Sequence, residues 1–128
     1  MSDVRHIRPL PPARASEYEM IRGTQAVLDL LAGKWSVGVL YLLAGGTRRY
    51  SEVFYEVGEV SKKALTQTLR SLEHDGLVMR RAYAEMPMRV EYSLTGLGWS
   101  ITAVLMSLYE WADEHEAHLP AAEQRRAA

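Results

Sequence analysis

The chain has 128 residues, of which 48% are hydrophobic and 24% charged, and these values are typical of one globular domain rather than a disordered or fibrous chain. It has no cysteine, and no apolar run approaches the roughly 18 residues of a membrane span, so we expect no disulfide, no thiolate site, no membrane contact and a cytoplasmic location. The net charge of −1 excludes a uniformly basic nucleic-acid binder, although residues 47–90 hold eight basic and six acidic residues.

The composition along the chain predicts three segments. Residues 1–16 carry three prolines and three arginines and are expected to form a flexible arm, which is either a solvated tail or a contact for a polyanion. Residues 17–118 are expected to form the domain, and residues 119–128 a polar tail.

Two apolar helices are predicted first. The helix near 18–31 has apolar residues over too wide an arc for one solvated face, which is typical of a helix that packs on its own domain and on a partner. The helix near 34–44 is apolar nearly all round and is expected at the centre of the core, although Gly38 in its interior costs about 1 kcal/mol relative to alanine.

A short helix near 51–57 and a longer one near 62–75 are predicted on either side of a tight turn. Each has a serine suited to cap its start and a glycine suited to end it. These residues are, in chain order, Ser51, Gly58, Ser61 and Gly76. The longer helix has one narrow apolar stripe and an opposite face that is polar. The stripe is Leu65, Leu69 and Leu72, and the polar face is Lys63, Gln67, Arg70 and His74.

A β-hairpin and a last helix complete the predicted elements. A strand is expected at Arg89–Thr95, where apolar and polar residues alternate. A second is expected at Leu77–Tyr83, where they alternate less cleanly, with Pro87 at the tip between the two. The hairpin is basic, since it carries Arg80, Arg81 and Arg89. The last helix follows Gly98 and is expected to run to about residue 118.

This order of elements predicts a mainly α-helical fold with a small β-hairpin, the winged helix-turn-helix. A helix fits the major groove of DNA and reaches base edges best with its N-terminal residues, while the hairpin would lie on the adjacent backbone or minor groove. A polar helix face alone is more typical of a solvated surface helix, but the tight turn and the basic hairpin favour DNA. The predicted DNA-binding residues are Ser61, Lys62, Lys63, Thr66, Gln67, Arg70, Arg80, Arg81 and Arg89.

Several stretches match one family in order and spacing, over about residues 24 to 112. They are Leu28-Asp29, Gly33–Ser36, Arg49–Val53, Val60–Thr66, Leu69–Val78, Pro87–Thr95, Gly98 and Leu108–Trp111. On these residues the chain resembles the HxlR family of winged helix-turn-helix transcriptional regulators. The resemblance implies a homodimer on a pseudo-palindromic operator in double-stranded DNA, with the N- and C-terminal helices at the dimer interface and two recognition helices roughly 34 Å apart.

Three departures from the family pattern bear on function. Many members carry a cysteine near the start of the first helix that senses oxidants or electrophiles, but the matching residues here are Arg22-Gly23-Thr24, so sensing is not thiol-based. Tyr50 and Val53 replace the commoner phenylalanine and leucine, which is a mild change. Gly38 replaces a larger apolar residue, which leaves open a close helix approach, space for a small effector, or simple drift.

Other classes of function have weaker support. The histidines of His115-Glu116-Ala117-His118 are three residues apart rather than the four of a zinc-protease helix, so no metal site is expected. The sequence has no phosphate loop and no catalytic signature, so we expect neither an enzyme nor a cofactor. Two alternatives stay open: a winged-helix module that binds protein, and a small-molecule-binding protein with a vestigial DNA face. An effector of unknown identity could also bind the regulator in a pocket lined by methionine and aromatic side chains.

Overall fold

The computed structural model describes residues 16–119. The chain divides into two compact units, one ending at Ala32 and the other beginning at Gly33. The predicted arm (residues 1–16) and polar tail (residues 119–128) lie outside the described residues, except for Ser16 and Leu119. Within the described part, no helix has both the length and the apolar character needed to cross a membrane.

The first unit contains the helix α1 (Glu17–Leu30), which lies where the sequence predicts it. The Ser16 hydroxyl caps α1 by accepting a hydrogen bond from the Glu19 N–H at 3.2 Å. None of the residues of α1 is buried, and Ile21 and Leu28 are 66% and 52% exposed. Exposed apolar side chains of this kind are typical of an interaction surface.

The described part of the second unit, residues 33–119, contains four α-helices and three strands, with a short 3-10 turn at Glu116–His118 after the last helix. Their bounds are α2 (Ser36–Ala44), β1 (Arg48–Arg49), α3 (Tyr50–Val57), α4 (Lys62–His74), β2 (Val78–Tyr83), β3 (Arg89–Leu94) and α5 (Gly96–His115). All elements predicted from the sequence are present, and two elements among residues 16–119, β1 and the 3-10 turn, were not predicted. The fold is therefore mostly helical with a small antiparallel sheet, which confirms the expected fold class.

The sheet has the order β1-β3-β2. The strand β1 therefore pairs with β3, on the side of β3 that faces away from β2. Val78 pairs with Leu94 at the base of the hairpin, and Tyr83 pairs with Arg89 near its tip. On the other side of β3, Arg48 pairs with Tyr92. The buried residues of the hairpin, Val78, Tyr92 and Leu94, lie towards its base, whereas residues 84–88 at its tip are exposed.

The core of the second unit is formed by aliphatic side chains from α2, α3, α4 and the start of β2. The aliphatic residues at most 2% exposed are Val39, Leu40, Leu43, Val53, Leu65, Leu69, Leu72, Leu77 and Val78. Each side chain of this kind contributes about 1.5–3 kcal/mol when it leaves water. The predicted stripe of α4 and the central position of α2 are confirmed, because both helices supply three of these residues.

Three local expectations need correction. The last helix was expected to begin after Gly98 and to run to about residue 118, but α5 begins at Gly96 and ends at His115. The prediction that Ser51 caps α3 is wrong, because α3 begins at Tyr50 and the Glu52 carboxylate accepts a hydrogen bond from the Arg49 N–H at 2.9 Å. Ser51 therefore lies inside the first turn of the helix. Gly38 is exposed, and a Cβ atom built on it would meet nothing within 4 Å. The close helix approach considered for this glycine therefore has no support.

Candidate nucleic-acid interface

The turn between α3 and α4 is shaped by a glycine and closed by a serine. Gly58 ends α3 with a φ of +103°, which glycine adopts without the strain that a side chain would cause. Val60 donates its N–H to the Gly58 carbonyl at 2.8 Å, and its side chain is buried, so the turn is anchored on the core. Ser61 caps α4 by accepting a hydrogen bond from the Ala64 N–H at 3.0 Å. The predicted roles of Gly58 and Ser61 are confirmed.

The end of α4 leads directly into the hairpin. Gly76 has a φ of +76° and donates its N–H to the Glu73 carbonyl at 3.0 Å, while Leu77 donates to the Leu72 carbonyl at 2.9 Å. These two bonds form a Schellman motif, which satisfies the last carbonyls of the helix. Only three residues separate α4 from β2, so the backbone of this short segment sets the direction of the hairpin relative to the helix.

The outer face of α4 presents polar side chains that have no partner in the described chain. Lys63, Gln67 and Arg70 are exposed, and none of them makes a hydrogen bond or ion pair with another residue between 16 and 119. Lys62 is also exposed, and its Nζ lies 5.9 Å from the centroid of the Phe54 ring. The first turn of α4 has no acidic residue, so its lysines add to the positive end of the helix dipole.

Among the predicted DNA-binding residues of α4, Thr66 has a hydrogen-bond partner on another helix. Its side chain is half-buried, and its Oγ1 lies 3.0 Å from the hydroxyl of Tyr50 at the start of α3. The same hydroxyl donates to the Lys62 carbonyl at 3.1 Å. Tyr50 therefore connects the start of α3 to the first two turns of α4.

The two arginines of β2 lie on opposite faces of the sheet. Arg80 is opposite Tyr92 and Arg81 is opposite Glu91, and successive side chains of a strand alternate between the faces. Both arginines are exposed and unpaired within the described residues. Arg80 lines a cleft of about 370 Å³ that joins α4 to the hairpin. The other lining residues are Thr66, Arg70, Glu73 and Tyr92.

Arg89 differs from the other two arginines of the hairpin. Its guanidinium lies 4.1 Å from the centroid of the Tyr83 ring, across the strand pair. Its Nη2 is 3.3 Å from Glu85 Oε1, and its Nε is 3.5 Å from Glu91 Oε1. Two carboxylates thus compensate the charge of this side chain. These contacts support a role of Arg89 in holding the hairpin together, and its contact with DNA stays a prediction.

Two features of this surface were not predicted from the sequence. The Tyr50 hydroxyl is the one atom that the commoner phenylalanine lacks, and it makes both bonds to α4, so the departure from the family pattern was itself the signal. The strand β1 places Arg49 opposite Glu91, and Arg81 faces the same glutamate from the other side. A strand of two residues has no periodicity that a sequence pattern could reveal.

The surface offers positive charge and hydrogen-bond donors rather than metal-binding chemistry. Within residues 16–119, no three side chains of the metal-ligating types lie close enough together to hold an ion. The exposed cations lie on α4 and on the hairpin, which follow each other in the chain. This arrangement suits a long polyanion that touches both elements at once.

Comparisons with known proteins find one matching family, similar transcriptional regulators and similar solved structures. The model of the HxlR-like helix-turn-helix family matches residues 30–119. An HTH-type transcriptional regulator of Methanothermobacter thermautotrophicus is 37% identical over 100 residues, which cover 78% of this chain and 76% of that protein. A solved structure described as a transcriptional regulator of the MarR family, from Enterococcus faecalis V583, is similar with a TM-score of 0.74 and 31% identity, over 89% of this chain and 99% of that one. The redox regulator HypR in its reduced form is similar with a TM-score of 0.73 and 31% identity, over 77% of this chain and 98% of that one.

Proposed function

The chain belongs to the HxlR-like helix-turn-helix family and is a transcriptional regulator of the winged-helix type, and from this we propose that it binds double-stranded DNA sequence-specifically as a homodimer. In this proposal α4 is the recognition helix and the hairpin of β2 and β3 is the wing. The observation that carries the proposal is the row of Lys63, Gln67 and Arg70 on α4, which is exposed and has no partner among residues 16–119.

The predicted residues divide by chemistry into phosphate and base contacts. Lys62 and Lys63 lie in the first turn of α4, where their charge and the helix N-terminus both attract phosphate. Gln67 lies one turn further along and can form a bidentate pair with adenine, and Arg70 can do so with guanine. The other members of the proposed interface are Ser61, Thr66, Arg80, Arg81 and Arg89.

A homodimer would cover apolar side chains that the single chain leaves in water. Exposed apolar residues lie along one side of α5 at intervals of seven, four and three residues, namely Leu97, Val104, Leu108 and Trp111. The helix α1 is likewise exposed and apolar. We propose that both helices pair with a second copy of the chain, because patches of this kind mark interaction surfaces. Twofold symmetry would then present two copies of α4 to half-sites of one pseudo-palindromic operator.

We propose further that DNA binding by this chain does not respond to thiol chemistry. One similar structure is that of a redox regulator, but this sequence contains no cysteine. Diamide and thiol-alkylating reagents at moderate dose should therefore leave the affinity for DNA unchanged. Loss of binding under mild diamide would contradict the proposal, whereas strong peroxide is avoided because it oxidises methionine.

The experiment that tests the proposed function is a fluorescence titration of a labelled random-sequence duplex at low salt, followed by selection of preferred sites. We expect an association constant whose logarithm falls linearly with the logarithm of the salt concentration. We also expect the selected site to have twofold symmetry. No binding at low salt would instead favour the alternative of a module that binds protein. Thermal stabilisation by a small molecule without any DNA affinity would favour a small-molecule-binding protein with a vestigial DNA face.

A further inference from the structure

The inference rests on the proposed function and concerns the hydroxyl protons of Tyr50 and Thr66. A tyrosine hydroxyl has one proton, and that of Tyr50 is directed at the Lys62 carbonyl at 3.1 Å. The contact of 3.0 Å between the Tyr50 and Thr66 hydroxyl oxygens therefore uses the proton of Thr66. A relay results in which Thr66 donates to Tyr50 and Tyr50 donates to the Lys62 carbonyl.

Two other helical threonines of this chain, Thr68 and Thr102, behave differently. A helical threonine commonly donates to the carbonyl four residues before it. Thr68 donates to the Ala64 carbonyl at 2.9 Å, and Thr102 donates to the Gly98 carbonyl at 2.7 Å. The corresponding acceptor for Thr66 is the Lys62 carbonyl, which receives the Tyr50 hydroxyl instead. The acceptor for the Thr66 hydroxyl is therefore the Tyr50 oxygen and not the usual carbonyl four residues before it.

The relay leaves only lone pairs on the Thr66 oxygen for an outside partner. Thr66 lines the cleft between α4 and the hairpin, on the side where the proposal places DNA. Phosphate oxygens, O6 and N7 of guanine and O4 of thymine also offer only lone pairs, so none of them can bond to this oxygen. The amino groups of adenine N6 and cytosine N4 can donate to it.

We propose that Tyr50 is a positioning residue that makes Thr66 a hydrogen-bond acceptor, and that the regulator therefore prefers a base with an exocyclic amino group where Thr66 faces the major groove. The surroundings hold the relay in place. Tyr50 is next to Arg49, whose N–H is held by the Glu52 carboxylate. Thr66 is next to Leu65, which is fully buried in the core. The preference is for adenine or cytosine over guanine or thymine at one position of each half-site.

The test uses site selection from a randomised duplex with the wild-type chain and three variants. Thr66→Val keeps a methyl group but has no hydroxyl, so the operator position at which it loses preference is the one that Thr66 reads. In Tyr50→Phe the Thr66 proton can go to the Lys62 carbonyl or to a base, so we expect the preference for adenine or cytosine at that position to fall about fivefold. Tyr55→Phe is the matched control, because Tyr55 is on the same helix, is 81% exposed and has no hydrogen bond within the described residues.

A second measurement separates the relay from a purely structural effect of Tyr50. Replacing the selected adenine with purine, which lacks the amino group, should weaken wild-type binding about fivefold and Tyr50→Phe binding by less. A Tyr50→Phe chain that loses thermal stability but keeps the full base preference would overturn the inference and leave the proposed function intact. If the wild-type chain selects no site, the proposed function fails and the inference fails with it.

Discussion

Gly98 in the first turn of α5 lies against the backbone carbonyl of Leu77 so closely that a Cβ atom on the glycine would overlap the carbonyl oxygen. Thr95 fixes this contact, because its N–H donates to the same Leu77 carbonyl at 3.1 Å and its hydroxyl donates to the Gly76 carbonyl at 2.6 Å. The helix α5 thus docks on the three-residue junction that sets the direction of the wing relative to the recognition helix.

This contact predicts opposite effects of two glycine-to-alanine substitutions. Gly98→Ala should lower the free energy of unfolding by about 3 kcal/mol, because the new methyl group meets backbone that cannot give way. Gly38→Ala, also inside a helix, should raise it by about 0.5–1 kcal/mol, because a Cβ there meets nothing within 4 Å and alanine favours the helix. Urea denaturation measures both values. Equal effects in the two variants would contradict the docking of α5 on the junction.

The wing arginines predict different changes in the salt dependence of binding. Arg80→Ala should weaken binding to all duplexes about equally and reduce the slope of log K against log salt by about one phosphate contact. Arg89→Ala should change the slope less, because Glu85 and Glu91 compensate that charge, but it should lower the thermal midpoint of unfolding. Titrations at several salt concentrations separate the two variants. A larger loss of slope for Arg89→Ala would identify Arg89 as the phosphate ligand.

The dimer is tested by placing a charge on the exposed apolar side of α5. The wild-type chain should sediment at micromolar concentration with about twice its mass of 14.5 kDa, and Leu108→Glu should sediment as a monomer. Ala103→Glu is the control, because helix geometry places Ala103 about 140° around α5 from Leu108. A monomeric wild-type chain, or dissociation by both variants alike, would be inconsistent with the proposed interface.

We expect the free energy of unfolding to fall in alkaline solution because Tyr41 loses its proton there. Its hydroxyl donates to the Leu105 carbonyl at 2.6 Å, and burial, with the charge of Tyr109 adding to it, raises the pKa of Tyr41 above its usual 10.0. The unfolded chain therefore loses this proton at lower pH than the folded chain. The stabilisation is complete below pH 10 and is lost as the pH rises through the folded pKa.

The corresponding variant is Tyr41→Phe. At neutral pH it should lower the free energy of unfolding by about 1 kcal/mol, the value of one hydrogen bond. Above the folded pKa this difference should shrink, because the wild-type chain has by then lost the same bond. Urea denaturation of both chains across the alkaline range provides the measurement, and a difference that stays constant with pH would show that Tyr41 does not cause the alkaline loss.

The predictions that succeeded depend on local chemistry. Ser61 and Gly76 mark the two ends of α4, as predicted. The start needs only a hydroxyl that caps a nearby N–H, and the end needs only a residue that adopts a positive φ, so both signals lie within a few residues of the helix. The α4 stripe and the hairpin follow from the periods of a helix and a strand. These elements are enough to specify a winged helix from the sequence.

The features that escaped depend on partners distant in the chain. The strand β1 exists only because Arg48 and Arg49 meet Tyr92 and Glu91 on β3. The helix α3 begins at Tyr50 and is not capped by Ser51 as expected, because the Glu52 side chain accepts a hydrogen bond from the Arg49 N–H. In the same way, the ion pairs of Arg89 and the relay through Tyr50 need a known register or a known helix crossing, which no single segment contains.

The affinity of the chain for its selected operator, measured with and without the α4 side chains, tests the central claim most directly. Gln67→Ala and Arg70→Ala should each cost about 1–3 kcal/mol on that operator, and less on unrelated duplexes. Combined with Lys63→Ala, they should lower operator affinity at least about 30-fold. The control is Lys34→Ala, which removes a positive charge from an exposed position outside α4, the hairpin and the proposed dimer helices, and it should leave the affinity nearly unchanged. Operator affinity that survives the α4 triple substitution would show that this helix is a solvated surface and not the reader of the operator.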